Sequence, residues 1–182
     1  MNTHRKQGGA ILVTSLLLLL VLTVLGLAVM RMTRMQERMA GNSRDVGLAF
    51  QGAEAALREG EDRIRKYVKR PDTTTTVPCL PPVVCYRGVL PVNLADTPSW
   101  WTAAQSMEFG TLNGVAGTVD FAPAGFTVDP RYVIEEVGLK PNELNKGHDP
   151  GDDFPVYQIT ARSVGASGNA NTVLQSTFAR PF

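Results

Sequence analysis

The sequence predicts an α+β protein: a long N-terminal helix, membrane-spanning in its first half, packed on a C-terminal antiparallel sheet. Three observations predict it. From Ala10 to Met30 no residue is charged and none is proline, while Leu, Val and Ile dominate. Ala49, Phe50, Ala53, Ala56, Leu57, Ile64 and Val68 then recur at three-and-four spacing, which draws one apolar stripe along a helix. Near the C-terminus Val156 to Ser163 alternates, with Val156, Gln158 and Thr160 opposite Tyr157, Ile159 and Ala161, as a half-buried strand does.

The apolar run is long enough to cross a bilayer, since about 20 helical residues rise about 30 Å. Thr14, Ser15 and Thr23 can return their hydroxyls to the backbone, and Gly26 is tolerated in such a helix. The helical pattern continues through Arg31, Arg34, Glu37 and Arg38 to Lys69, a rod on the order of 90 Å. Lys69 and Arg70 set cations at its C-terminal dipole, and Pro71 ends it. On the face expected to meet solvent, acids precede bases by four residues: Glu54 with Arg58, Glu59 with Arg63, Glu61 with Arg65, Asp62 with Lys66. Each such pair adds about 0.2–0.5 kcal/mol.

Threonine, proline and turn residues dominate from Pro71 to Trp101. The DTTTT tract reads as a surface loop and VVCYRGVL as a short strand. Of the paired indoles Trp100 and Trp101, one is expected to cap the core and the other to lie half-exposed. No element is secure between Gly110 and Gly125. Tyr132 to Val137 forms a strand entered from Pro130, Gly165 to Asn169 a turn, and Thr172 to Ala179 a returning strand. With Val156 to Ser163 these make an antiparallel meander whose apolar face the helix covers.

The 182 residues suffice for one globular domain of ordinary size. A formal charge of +1 gives no global field for nucleic acid or for a strongly acidic partner. Arg5 and Lys6 precede the apolar run and Arg31, Arg34, Arg38 and Arg44 follow it, so flanking charge does not set the orientation. Cys79 and Cys85, in a proline-flanked loop of a chain with an export signal, read first as a disulfide. Two thiols fall short of a zinc site. The other reading, two unpaired buried thiols, fits the loop-like PCLPPVVCY less well. The only histidines are His4 and His148, and no nucleophile elbow, phosphate-binding glycine loop or metalloprotease helix is present. Neither an enzyme nor a cofactor is expected. Asp149, Asp152 and Asp153, in HDPGDDF, are weak calcium candidates without EF-hand spacing, and a surface loop is their ordinary reading.

Three export signals compete for the first 40 residues. A secretory signal peptide would be cut after Gly26-Leu27-Ala28, but the apolar run is long for one and the helix continues past that point. A plain membrane anchor is the second. The third is a short basic leader ending in glycine: MNTHRKQGG, then AILVTSLLLLL, with cleavage between Gly9 and Ala10. Glycine suits that boundary because it leaves the scissile backbone unencumbered.

The segments that follow, QERMAGN at Gln36 to Asn42 and AFQGAEAAL at Ala49 to Leu57, resemble the N-terminal helix of PilX-type minor pilins of type IV pili. The likeness is close over about the first third of the chain and looser in YQITARSVGASGNANTVLQSTF. It implies a pilin-like fold in four parts: a prepilin leader (1–9), a membrane and filament-core helix (10–30), its amphipathic continuation (31–70) and an exported globular domain (71–182). It also implies a non-enzymatic subunit of the pilus tip or priming complex. A prepilin peptidase would process it. Its partners would be other minor pilins and the major pilin through the N-terminal helix, the inner membrane, and an adhesin at the tip; no nucleic acid is expected directly. The N-terminus would be cytoplasmic, in a single pass through the inner membrane, before transfer to a surface pilus. One departure bears on its place. Most pilins carry Glu at the fifth position after the cleavage site, where it neutralises a neighbour's terminal amine, and here that position is Thr14. A tip pseudopilin of type II secretion shares the absence and is the close alternative; a single-pass inner-membrane protein with a periplasmic binding domain is the more distant one.

Overall fold

The computed structural model describes residues 8–75, 84–91, 94, 97–102, 105–110, 126, 128–140 and 153–182. Helix α1 runs from Gly8 to Lys66 without interruption. The chain divides into two units within it, Met1–Ser43 and Arg44–Phe182. The described residues of the first, 8–43, are helix alone. Their large apolar side chains from Ile11 to Met30 are each between 51% and 70% exposed.

The second unit is a helix laid on a sheet. Among the described residues six strands form one mixed sheet: β1 (Thr73–Thr74), β2 (Val84–Tyr86), β3 (Met107–Glu108), β4 (Arg131–Lys140), β5 (Phe154–Val164) and β6 (Asn171–Ala179). They lie in the order β1-β2-β4-β5-β6, with β3 also pairing β4. The expected antiparallel meander is β4-β5-β6, closed by the Gly165–Asn169 turn. Beyond it the sheet is not antiparallel: β2 runs parallel to β4, and β1 parallel to β2. DTTTT is therefore more than loop, because Thr73 and Thr74 form an edge strand. Tracts this short carry no periodicity from which pairing can be read.

Alternation along the strands sorts their side chains onto two faces. Tyr132 and Ile134 from β4 and Tyr157, Ile159 and Ala161 from β5 form the main core with Ala56 and Ile64 of the helix. Burying an Ile- or Leu-sized side chain contributes about 1.5–3 kcal/mol, so this patch dominates the unit's stability. Close packing depends on two helical glycines. A β-carbon on Gly60 would lie 2.6 Å from Ile159 Cγ2, and one on Gly52 would lie 2.3 Å from Ser163 Oγ. The opposite face holds a smaller cluster of Val133, Leu94 and Trp101, with Trp100 partly buried beside it. One indole is thus core and the other half-exposed, on the side away from the helix.

The apolar stripe holds at Ala49, Ala53, Ala56 and Ile64, each 0% exposed. Phe50 leaves it, at 47% exposed, because it stands one residue past Ala49 and so about 100° round the helix. Val68 leaves it too, at 98% exposed, because α1 stops at Lys66 rather than Lys69. Tyr67 donates its N–H to Ile64 O, a tightening that closes the last turn, and its ring packs against the core. Pro71 disfavours helical backbone at Arg70, whose guanidinium binds Glu136 instead.

Candidate assembly surface

For the exposed stretch of α1 from Ile11 to Met30, sequence dictates a surface with one chemistry. Apolar side chains point outward in all directions, and the few hydroxyls return to the backbone. Thr14 donates to Ile11 O at 2.9 Å, Ser15 to Leu12 O at 2.9 Å and Thr23 to Leu20 O at 2.7 Å. Each satisfies its donor inside the helix, as an apolar environment demands. Thr14 lies beside Leu17, Leu18 and Val21, so its surroundings on the helix are hydrocarbon. The helix is long and apolar enough to cross a membrane. Soluble proteins rarely leave so large an apolar surface bare, which makes this the surface for lipid or for other helices. Gly9 and Ala10 both fall in the first turn of α1.

Polar joints fasten the second unit's part of α1 to the sheet. Asp45 accepts from the N–H of Ser167 at 2.9 Å and from its hydroxyl at 2.5 Å. These bonds hold the Asp45 carboxyl below its ordinary value, the Ser167 hydroxyl being the largest cause and the Ser167 N–H the next. Farther along, Glu59 accepts from Gly110 N at 2.6 Å and from the Tyr132 hydroxyl at 3.1 Å, while Arg63 donates to that hydroxyl at 2.8 Å. Burial pushes the Tyr132 phenol well above its ordinary value. All four expected acid–base pairs form. Glu59–Arg63 does not sit on a solvent face, however: Glu59 is 8% exposed, drawn inward by the buried Tyr132 hydroxyl and the Gly110 amide. Arg70 pairs with Glu136, itself 1% exposed, and Arg180 donates to the Ile64 carbonyl at the helix C-terminus. Ser176 donates to Glu61 at 2.9 Å.

On the sheet face away from the helix, a cleft of about 310 Å³ is lined by Arg87, Leu90, Leu94, Glu135, Gln158 and Gln175. Its polar groups engage one another: Glu135 accepts from Gly88 N at 2.6 Å, and Gln175 donates to Thr160 Oγ1 at 3.1 Å. No group of three His, Cys, Asp or Glu able to hold a metal ion occurs among the described residues. Of the calcium candidates, Asp153 directly precedes β5, and Asp149 and Asp152 lie outside the described residues. Cys85 is 2% exposed on β2, and Cys79 lies outside the described residues. Reading the sequence missed Asp45, Gly52, Gly60, Arg70 and Arg180 as joining residues. Gly52, Ala56 and Gly60, at four-residue spacing, were the signal available for the close helix–sheet contact.

The N-terminal region, residues 7–58, matches the PilX N-terminal family, and residues 65–180 match the C-terminal region of type IV pilus assembly protein PilX. The chain belongs to the PilX family. It is a minor pilin concerned with type IV pilus assembly, a structural component that works with other components of the pilus. The exposed apolar helix fits membrane anchoring and pilus association. No curated protein and no solved structure matches the chain.

Proposed function

We propose that this minor pilin belongs to the tip or priming complex of the pilus and helps to start assembly. The observation that carries the reading is Thr14. Counted from a cleavage between Gly9 and Ala10, it is the fifth residue, and its hydroxyl is spent on Ile11 O. In an apolar bundle an unpaired charge is costly. A repeated shaft subunit therefore needs a carboxylate for its neighbour's amine, whereas a subunit with no neighbour ahead of it needs none. A prepilin peptidase removes residues 1–9, a disulfide joins Cys79 to Cys85, and the helix crosses the inner membrane once with its N-terminus in the cytoplasm. Other minor pilins and the major pilin pack along the helix, and an adhesin is the further partner of a tip subunit. The PilX matches favour a pilus over the pseudopilin alternative.

Deletion is expected to reduce surface filaments sharply while the major subunit is still made and processed. Quantitative mass spectrometry of sheared filaments, with gold labelling of an epitope inserted at the exposed Val68, tests the position. Uniform labelling along the shaft, at a stoichiometry near that of the major subunit, rules out the tip.

A further inference from the structure

The two edges of the sheet are built differently. At one, β1 has two residues, which leaves little backbone to pair. At the other, β6 runs nine residues from Asn171 to Ala179, and among the described residues no strand pairs with its outer side. The register of β6 on β5 is unbroken from Val164↔Asn171 to Val156↔Ala179, with no bulge to turn the edge away. Asn171 to Ala179 includes no proline, lysine or other charged residue, the usual guards of an open edge.

The hydrogen-bond phase of β6 fixes which peptide groups point outward. Gly165 donates its N–H to Ala170 O at 2.8 Å at one end of the hairpin, and Arg180 donates to Pro155 O at 3.3 Å at the other. In an antiparallel pair, residues that exchange such bonds alternate with residues that do not. Thr172, Leu174, Ser176 and Phe178 therefore bond to β5. Asn171, Val173, Gln175, Thr177 and Ala179 direct their N–H and C=O groups away from it.

We infer that β6 is a docking edge, and that its occupant is an extended, uncharged strand of another pilus subunit, added edge-on to continue the sheet. An outward row of peptide groups is satisfied along its length by another extended backbone. The half-buried Leu174 and Phe178 lie on the helix side of this edge, so the incoming strand would set apolar side chains beside them and polar ones beside Gln175 and Thr177. Family membership in pilus assembly makes pilus subunits the available partners. The inference does not depend on the tip position.

The test uses the full chain in its own cells, with a photo-crosslinking amino acid at Ala179 and, as control, at the exposed Tyr86 on β2, which is neither on this edge nor on the helix. The expected result is a crosslink from position 179 alone, mapped by mass spectrometry to an extended segment of a different pilin. Thr177→Pro deletes an outward N–H without touching the β5 ladder and should cut crosslinking about tenfold or more. Thr177→Val should leave it unchanged. If Thr177→Pro fails to accumulate folded protein, Thr177→Lys, which sets a charge on the edge and keeps the donor, should give the same loss. The inference is overturned by no crosslink at 179, by a crosslink only to a second copy of this chain, or by one that survives both variants in folded protein. Normal filament numbers after gene deletion, with the crosslink present, would sink the priming role and leave the docking edge standing.

Discussion

Asp45 and Ser167, 122 residues apart, are joined twice: the carboxylate takes the Ser167 main-chain N–H on one oxygen and the Ser167 hydroxyl on the other. The contact holds the β5–β6 turn against the helix, close to where the second unit begins at Arg44. It also explains why Gly165 carries no side chain, since a β-carbon there would lie 2.5 Å from the Asp45 carboxylate and 2.6 Å from the Asp45 main-chain oxygen.

The depressed Asp45 carboxyl makes this joint pH-dependent in a definite direction. A carboxyl whose value falls on folding stabilises the native state above its ordinary value, here 3.8, and loses that contribution as pH falls through the folded value. Asp45→Asn should therefore melt below the parent at pH 7, and the gap should close as the pH drops below 3.8. Melting temperatures of both proteins across that range check it. A constant gap would mean that the charge plays no part.

Glycines in the same helix should respond oppositely to alanine. Gly47 has open space around the missing β-carbon, whereas Gly60 faces Ile159 and Tyr132, both 0% exposed and unable to retreat. Gly47→Ala is expected to stabilise by up to about 1 kcal/mol from helix propensity. Gly60→Ala carries the same gain but overpacks the core, and a loss of about 1–3 kcal/mol should dominate. Denaturant midpoints of the two variants decide it; stabilisation by both would contradict the close packing.

What was legible in the sequence followed from periodicity. The uncharged run, the alanine stripe from Ala49 to Ile64 and the alternation of Val156 to Ser163 each repeat often enough to fix an element and its buried face. What was not legible depends on residues far apart in the chain. Glu59 spaced four before Arg63 looks like any solvent-facing pair, and only the arrival of Tyr132 buries it. Arg70 looked like a helix-terminal cation until Glu136, 66 residues away, claimed it. The parallel pairing of β1 and β2 has no local signature, because two or three residues cannot display a period.

Cys79 and Cys85 should be joined. Closing so short a loop restricts the unfolded chain and contributes about 2–3 kcal/mol, less if the bridge is strained. Alkylation of the native exported protein, followed by non-reducing mass spectrometry, is expected to leave both thiols unlabelled. Free labelling at either position would remove the bridge.

Processing between Gly9 and Ala10 is the prediction on which the reading of Thr14 depends. The leader supplies Arg5 and Lys6, and their loss takes the formal charge from +1 to −1, leaving a new amine at the head of an uncharged helix. Gly8 and Gly9 both fall in the first turn of α1. Each glycine costs a helix about 0.5–1 kcal/mol against alanine, so this turn opens readily to an extended form that a peptidase can grip. Gly9→Ala should stiffen it and slow processing, so that full-length chain accumulates. N-terminal sequencing of membrane-extracted protein is expected to begin at Ala10. A start at Val29 would mark a secretory cut after Ala28, and a start at Met1 an anchor that is never processed; in either case Thr14 would no longer be the fifth residue and would say nothing about a place at the tip.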